Sequence, residues 1–554
     1  MYDITPFELD EQRDLEHYDV WLLDGTHSIP PMTPLSGWAW VQYCRSGMQY
    51  GAEMLSLPTC KGWDWRLHDH CIYLTPLVVT SEEEVKQREQ VFRQRIAPII
   101  EDYDKVWQGY VKEMLAMYDH AKSLDLGKAS NIELMEHFEE LMHINKRVWD
   151  IHMFMMYAVD GVFILFENIC KTLLGIDDTN PTFHKLVRGF DNEIFQADRK
   201  LWQLSKRAIE LGIADVFQSS KPNEVLPKLE GSEAGRKWSK ELYAFIDQFG
   251  WRTARIFEYA EPSWVEDPSP AIMNVKQYLA KGGDFNLDDE RKVLAEEREA
   301  AEKDVLSRVS EEQKGWFTAL LRLAQRSSAF SEEHNLYIDL YATAVIRRGL
   351  LAIGNRLAAA GTIGHRDDIF FLIPDEIRRV CIDPANHDLR PLVARRRENW
   401  AGSLKREHPP LIGKIGFEEA VGLLVRSVDP IALKIVVGSL PVPRPELKAD
   451  LYGTCGSPGI AEGRARVVYV YEDLINVQEG EILVAPATYV SWTPIFSLIK
   501  GVVVDRGASL SHAAIVGREY GIPVVMNVFT GTSAIKNGQT IRVDGNLGTV
   551  HILG

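Results

Sequence analysis

Between Gly501 and Met526 two short apolar runs enclose a glycine-led loop and a helix-length segment, an order that restricts this part of the chain to an α/β layer. GVVV (Gly501 to Val504) is a β-branched run that reads as a buried strand, and IPVVM (Ile522 to Met526) reads as the next one. The intervening DRGASLSHAAIVGREYG predicts a single helix. It should open near Ser511 or His512, with Ser509 or Ser511 as N-cap, and close at Gly521 with Pro523 just beyond. His512 therefore falls where the loop becomes the helix.

The first backbone N–H groups of a helix lack intrahelical partners, and the helix dipole adds a positive end. A dianionic phosphoryl group on an adjacent imidazole would be held there. Gly507 lets the loop backbone approach such a group, and the hydroxyls of Ser509 and Ser511 add donors, so Gly507, Ser509 and Ser511 are the expected phosphate-binding residues.

These residues carry a resemblance. The segment is similar to the swivelling phosphohistidine domain of the phosphoenolpyruvate-utilising enzymes, whose pattern GG-x-x-SH-x-AIV-x-RE-x-GIP is matched at Gly507, Ser511, His512, Ala514, Ile515, Val516, Arg518, Glu519, Gly521, Ile522 and Pro523. Ala508 replaces the second glycine of the pair. GSPGIAEGRARVV (Gly456 to Val468), GEILVAPATYVSWTPIFSLIKG (Gly480 to Gly501) and NGQTIRVDGNLGTVHIL (Asn537 to Leu553) resemble the opening, middle and closing strands of that domain. The resemblance implies that His512 is a phosphoryl carrier.

At 554 residues the chain exceeds what one hydrophobic core usually serves. Its formal net charge of -17 argues against a nucleic-acid or anionic-membrane surface, since both are bound by clustered Lys and Arg. Cys44, Cys60, Cys71, Cys170, Cys381 and Cys455 form no C-x-x-C pair, so neither a zinc site nor a disulfide scaffold is indicated, and no metal is expected on this chain. The N-terminus is acidic without an apolar core, unlike a signal peptide, and a cytoplasmic protein is expected. The most apolar stretch, Met153 to Leu174, is interrupted by Asp160 and Glu167 and reads as a buried helix rather than a membrane span.

From about residue 80 to 440 the hydrophobic period is helical. The mixed-charge stretch Asp288 to Gln313 reads as a solvated helix laced with i,i+4 ion pairs. Near Leu440 the helical pattern ends in a segment punctuated by Pro441, Pro443 and Pro445, which favour extended backbone. The expected fold is multidomain: a mainly α-helical substrate-binding domain over 1–440, a proline-containing hinge over 441–455, and a C-terminal α/β swivelling phosphohistidine domain over 456–554.

The N-terminal part resembles the helical substrate-binding domain of the rifampicin phosphotransferases and, in arrangement, the large subunit of phenylphosphate synthase and the related hydroxyacetophenone kinases. The resemblance rests on HSIPPMTPLSGWAW (His27 to Trp40), FIDQFGWRTARIFEYAEPSWVEDPSPAI (Phe245 to Ile272), RRGLLAIGNRL (Arg347 to Leu357) and DDIFFLIPDEI (Asp367 to Ile377). Trp251 and Thr253 stand where the rifampicin enzymes have histidine and glycine, which points away from rifampicin as substrate. No P-loop or glycine-rich nucleotide loop precedes Leu440, and the chain stops at Gly554 with no phosphoenolpyruvate-binding barrel after it. The resemblance therefore implies ATP and Mg2+ bound mainly by a separate ATP-grasp subunit that phosphorylates His512.

A phosphohistidine divides one transfer into two displacements, each depending on positioning and on stabilising charge on the equatorial oxygens. Arg252, in FGWR, is the first choice for that electrostatic role and Arg147 the second. A phenol has a pKa of ~10, so a base near its oxygen helps form the nucleophile. His143, four residues from Arg147 on one helical face, and His68, His70 and His152 are the candidates for the base or for substrate binding. The aromatic and methionine residues of Met153 to Phe166 suit either an aryl-binding pocket or ordinary core packing. The expected activity is transfer of phosphoryl from His512 to a phenolic hydroxyl, giving aryl phosphate, AMP and phosphate. The alternatives are an antibiotic or other alcohol as acceptor, or a carrier or regulatory phosphoprotein without its own small-molecule site.

Overall fold

The computed structural model describes residues 18–176, 180–190, 193–282, 285–428, 430–437 and 445–554. The helices that matter below are α1 (Asn131–Ile169), α2 (Glu193–Glu210), α3 (Glu233–Phe249), α4 (Leu287–Arg308), α5 (Glu311–His334), α6 (Tyr341–Ala359) and α7 (His512–Tyr520). By compactness the chain forms two units. The first takes in residues 1–158, 256–261 and 337–436, and the second residues 159–255, 262–336 and 437–554. Residues 159–255 and 262–336, expected within a helical domain of 1–440, cluster with 437–554 instead.

The first unit holds an antiparallel sheet that the helical reading of 1–440 missed. Its strands β1 (Val20–Leu23), β2 (Cys60–His68), β3 (Cys71–Val78) and β4 (Leu411–Gly413) lie in the order β2-β3-β1-β4. In β2 the alternation is visible: Trp63, Trp65 and Leu67 are buried while Asp64, Arg66 and His68 are less so. Asp69 and His70, both at positive φ (47° and 63°), make the two-residue hairpin to β3. The H-D-H triplet is thus turn chemistry.

The second unit contains an eight-stranded sheet, formed by β5 (Leu451–Tyr452), β6 (Thr454–Ser457), β7 (Ile460–Val467), β8 (Ile482–Ala485), β9 (Gly501–Val504), β10 (Val524–Met526), β11 (Thr540–Asp544) and β12 (Thr549–Ile552) in the order β5-β12-β11-β7-β8-β9-β10-β6. The β7-β8-β9-β10 core is parallel, and every residue of β8, β9 and β10 is buried. That is why GVVV and VVM read as unbroken apolar runs. Residues 451–455, expected in the hinge, are already sheet: β5 and β6 pair with β12 and β10. Pro441 and Pro443 lie outside the described residues.

The helical stretch Asn131–Leu174 is long and apolar enough to cross a membrane, and 56% of its most apolar window is buried within the structure. Its C-terminal residues Phe163, Phe166 and Cys170 pack in the second unit with Phe183, Leu186, Val305 and Phe317, so a protein core accounts for their apolarity. The charged helix α4 carries the expected i,i+4 pairs, Lys292 with Glu296, Arg298 with Glu302 and Arg308 with Asp304. It also does more than face solvent. Arg291 pairs with Glu519 of α7, and Arg298 donates to the Arg188 carbonyl.

Candidate functional site

The strand–loop–helix–strand reading of 501–526 matches the structure closely. α7 begins at His512, Ser511 is its N-cap with extended backbone (φ −74°, ψ 156°), and Gly521 closes it at φ 64°. The Ser511 hydroxyl caps no helix N–H and instead lies 3.5 Å from Met526 Sδ. The loop is held from several sides. Asn527 accepts from the Gly507 N–H at 2.9 Å and donates to the Gly507 carbonyl at 2.7 Å. A Cβ on residue 507 would stand 3.0 Å from both Met526 Sδ and Ser511 Oγ, which explains the glycine. Arg518 is buried and donates to the carbonyls of Ser509 (2.6 Å) and Gly456 (3.2 Å), locking helix, loop and β6 together. Ser509 contributes that carbonyl and is itself buried.

His512 is buried at the start of α7. Its Nδ1 lies 2.8 Å from Thr488 Oγ1, its Nε2 lies 3.0 Å from Thr493 Oγ1, and Phe496 meets the ring edge-on at 5.6 Å. Burial pushes its pKa down to about 3, so the imidazole is neutral across the physiological range, the form a phosphoryl acceptor needs. A neutral ring donates through one nitrogen and accepts at the other, so both threonines are engaged and one must yield before the ring is phosphorylated. Sequence reasoning passed over Thr488 and Thr493. The signal was the hydroxyl-rich run ATYVSWT, in a segment already matched to the carrier domain.

The same segment touches the FGWRTAR stretch, where the Ser491 hydroxyl donates to the Ala254 carbonyl at 2.9 Å. Arg252 is buried there. Its Nε donates to the Phe249 carbonyl at 2.6 Å, the guanidinium lies 4.9 Å from the Trp264 ring, and one terminal nitrogen has no hydrogen-bond partner. Burial draws the Arg252 pKa down to about 10, opposed by the charges of Asp198 and Tyr471. A buried guanidinium with an unused donor is what an incoming anion satisfies. Asp198, pushed up to about 7 by burial, accepts from the Tyr520 hydroxyl at 3.1 Å. Glu519 accepts from the Gly189 N–H at 2.9 Å and pairs with Arg291, so the Arg-Glu of the motif anchors α7 rather than facing a ligand.

The other expected residues lie in the first unit. Arg147 makes a two-pronged pair with Glu113 (2.6 and 3.0 Å), which occupies its fork. His143 is exposed on α1 and His152 is buried on it, stacked 5.1 Å from Trp149 with Nδ1 3.6 Å from Asp339. Nine residues apart, the two histidines fall on different faces of α1. His68 ends β2 edge-on to Tyr73, and His70 Nδ1 donates to the Met32 carbonyl at 3.2 Å, with burial lowering its pKa.

Two parts of the chain match families of known proteins. Residues 477–548 match the mobile domain of the PEP-utilising enzymes, and residues 150–332 match the fourth domain of rifampicin phosphotransferase. The chain thus carries a PEP-utiliser mobile domain together with a helical region of the rifampicin phosphotransferase kind. It is 30% identical over 560 residues to chondramide synthase cmdD of Chondromyces crocatus, covering 96% of this chain and 14% of that protein. It is 29% identical over 381 residues to the uncharacterized phosphotransferase YvkC of Bacillus subtilis, covering 68% of this chain and 44% of the relative. With the rifampicin phosphotransferase of Bacillus subtilis it shares 29% identity over 348 residues, covering 61% and 37%. The chain therefore spans less than half the length of each of these relatives.

Proposed function

We propose that this chain is the phosphohistidine-bearing part of a dikinase-type aryl phosphotransferase. His512 accepts a phosphoryl group that originates in ATP and passes it to a phenolic hydroxyl, giving aryl phosphate, AMP and phosphate. The observation that carries this reading is the buried, neutral His512 at the first turn of α7, within the stretch that matches the mobile domain of the PEP-utilising enzymes. Gly507, Ser509 and Ser511 shape the loop that receives the phosphoryl oxygens, and Arg252 supplies the cation. ATP and magnesium are bound mainly by a separate ATP-grasp partner in the cytoplasm, and no nucleotide-binding residue is assigned to this chain.

The second reading changes only the acceptor, to an antibiotic or another alcohol, and is favoured by the relatives named rifampicin phosphotransferase. To separate them, the chain is mixed with an ATP-grasp partner, [γ-32P] and [β-32P]ATP and magnesium, and acid-labile label is followed on wild type and His512→Ala. The expected outcome is label on wild type alone, discharged by phenols. Label retained on the variant defeats the phosphohistidine assignment, and wild-type label discharged by rifampicin but by no phenol selects the antibiotic acceptor.

A further inference from the structure

Two hydroxyls from one short segment bracket the carrier imidazole. Val490–Ser497 winds into a 3₁₀ helix, and the Trp492 N–H donates to the Tyr489 carbonyl at 2.7 Å, so the chain turns tightly between Thr488 and Thr493. The turn sets the Thr488 hydroxyl at His512 Nδ1 (2.8 Å) and the Thr493 hydroxyl at Nε2 (3.0 Å). Phe496, from the same short helix, stands at 90° to the ring. His512, Thr488 and Thr493 are 7%, 6% and 1% exposed, so water does not replace either hydrogen bond. All four residues fall within the mobile-domain match, so the arrangement belongs to that domain itself.

The two threonines are not equivalent. Thr488 makes no other hydrogen bond among the described residues, whereas Thr493 has an interaction besides that with the ring. Parting Thr488 from the imidazole strands a buried hydroxyl, the costlier of the two losses. The partner that gives way to phosphorus is therefore Thr493, at Nε2. A nitrogen that attacks phosphorus needs its lone pair, so the other nitrogen of the neutral ring carries the proton.

We propose that Thr488 is a positioning residue of the carrier: it accepts from the Nδ1–H of His512, fixing the tautomer whose Nε2 is the nucleophile, and Thr493 caps that lone pair until a phosphoryl group displaces it. In the step, the Nε2 lone pair forms the bond to phosphorus, the bond from phosphorus to the donor's oxygen breaks, and its electron pair leaves on that oxygen. The Nδ1 proton stays in place, shared with Thr488. When the phosphoryl group is passed on, the acceptor's oxygen bonds to phosphorus, the phosphorus–nitrogen bond breaks and its electron pair returns to Nε2. Because Nδ1 has kept its proton, the ring leaves as neutral imidazole rather than as an anion. This rests on the phosphohistidine reading above.

The test uses the full chain labelled with 15N-histidine, in which proton-bearing and lone-pair ring nitrogens resonate far apart. The His512 signals, assigned by their loss in His512→Gln, are expected to place the proton on Nδ1. Thr488→Val keeps the shape and removes the acceptor. It is expected to move the proton toward Nε2 and to take label from the ATP-grasp partner, ATP and magnesium about tenfold more slowly, the worth of one hydrogen bond. Thr488→Ser, which keeps the hydroxyl, is expected to restore both readouts to within about threefold of wild type. Thr493→Val is expected to leave the proton on Nδ1 and to take label at least as fast as wild type. A wild-type proton on Nε2, phosphorus–nitrogen coupling to Nδ1 in the phosphorylated chain, or labelling of Thr488→Val at the wild-type rate overturns the proposal. The first two are read on the wild-type threonines, so a threonine variant that does not fold leaves the test standing. Wild type with its proton on Nδ1 that never takes label counts against the phosphohistidine reading instead.

Discussion

An imidazole is a nucleophile only in its uncharged form, and the burial of His512 beside Phe496, Thr488 and Thr493 favours that form at neutral pH. The same burial links it to stability. Its pKa falls from an ordinary 6.5 to about 3 on folding, so between those values the unfolded chain binds more protons. The contribution is fully present above pH 6.5 and is lost as pH falls toward 3. Asp198 has the opposite slope: raised from 3.8 to about 7, it favours the folded state at low pH and loses that contribution as pH rises through this window. A pairwise comparison isolates the histidine. His512→Gln is expected to gain stability relative to wild type as pH falls from 7 to 4, read as the difference in urea midpoints at each pH.

Among the elements, α7 was the most legible because its punctuation is local: serine before, glycine after, proline beyond. Its seating is equally specific. A Cβ on Gly517 would collide with Val524 Cγ2 of β10 and stand 3.3 Å from Ser457 Cβ. Gly517→Ala is therefore expected to cost about 1–3 kcal/mol of stability by overpacking, measured by denaturant unfolding, although alanine is the better helix former. What could not be read locally was long-range pairing. The β2 alternation was present in WDWRLH and its partner β3 follows across a two-residue turn, but the sheet is completed only by β1, paired with β3 about fifty residues away in sequence, and by β4 from residues 411–413, so the helical period of the rest of the domain prevailed. Thr488 and Thr493 were hidden for a related reason, since nothing in a hydroxyl's sequence neighbourhood says that its partner is an imidazole 19 or 24 residues on. Arg252 stands out within its motif, whereas the Glu113 partner that occupies the Arg147 fork lies 34 residues away on another helix and could not be read locally.

At the scale of the molecule, the mobile-domain match and most of the fourth-domain match share one compact unit. Glu519 is its tie. It joins α7 to Arg291 of α4 and to the Gly189 N–H, with both partners of the ion pair largely buried (10% and 5% exposed). Glu519→Gln leaves the guanidinium without its counter-charge and is expected to cost about 3 kcal/mol. The loss should be local first: hydrogen exchange at the Gly189 amide should quicken before that of β8 and β9, and uniform quickening across the unit would show that the tie is not separable from the core.

The division into units has a genetic consequence. The chain passes between them at Ala158/Val159, Arg255/Ile256, Glu261/Pro262, Leu336/Tyr337 and Val436/Val437, so neither unit corresponds to one uninterrupted length of coding sequence. A recombination junction anywhere between residues 159 and 436 splits both at once. Such a stretch is transplanted between genes as a block or not at all, and chimaeras that place the join after residue 440 will strand the carrier strands from the helices that complete their core.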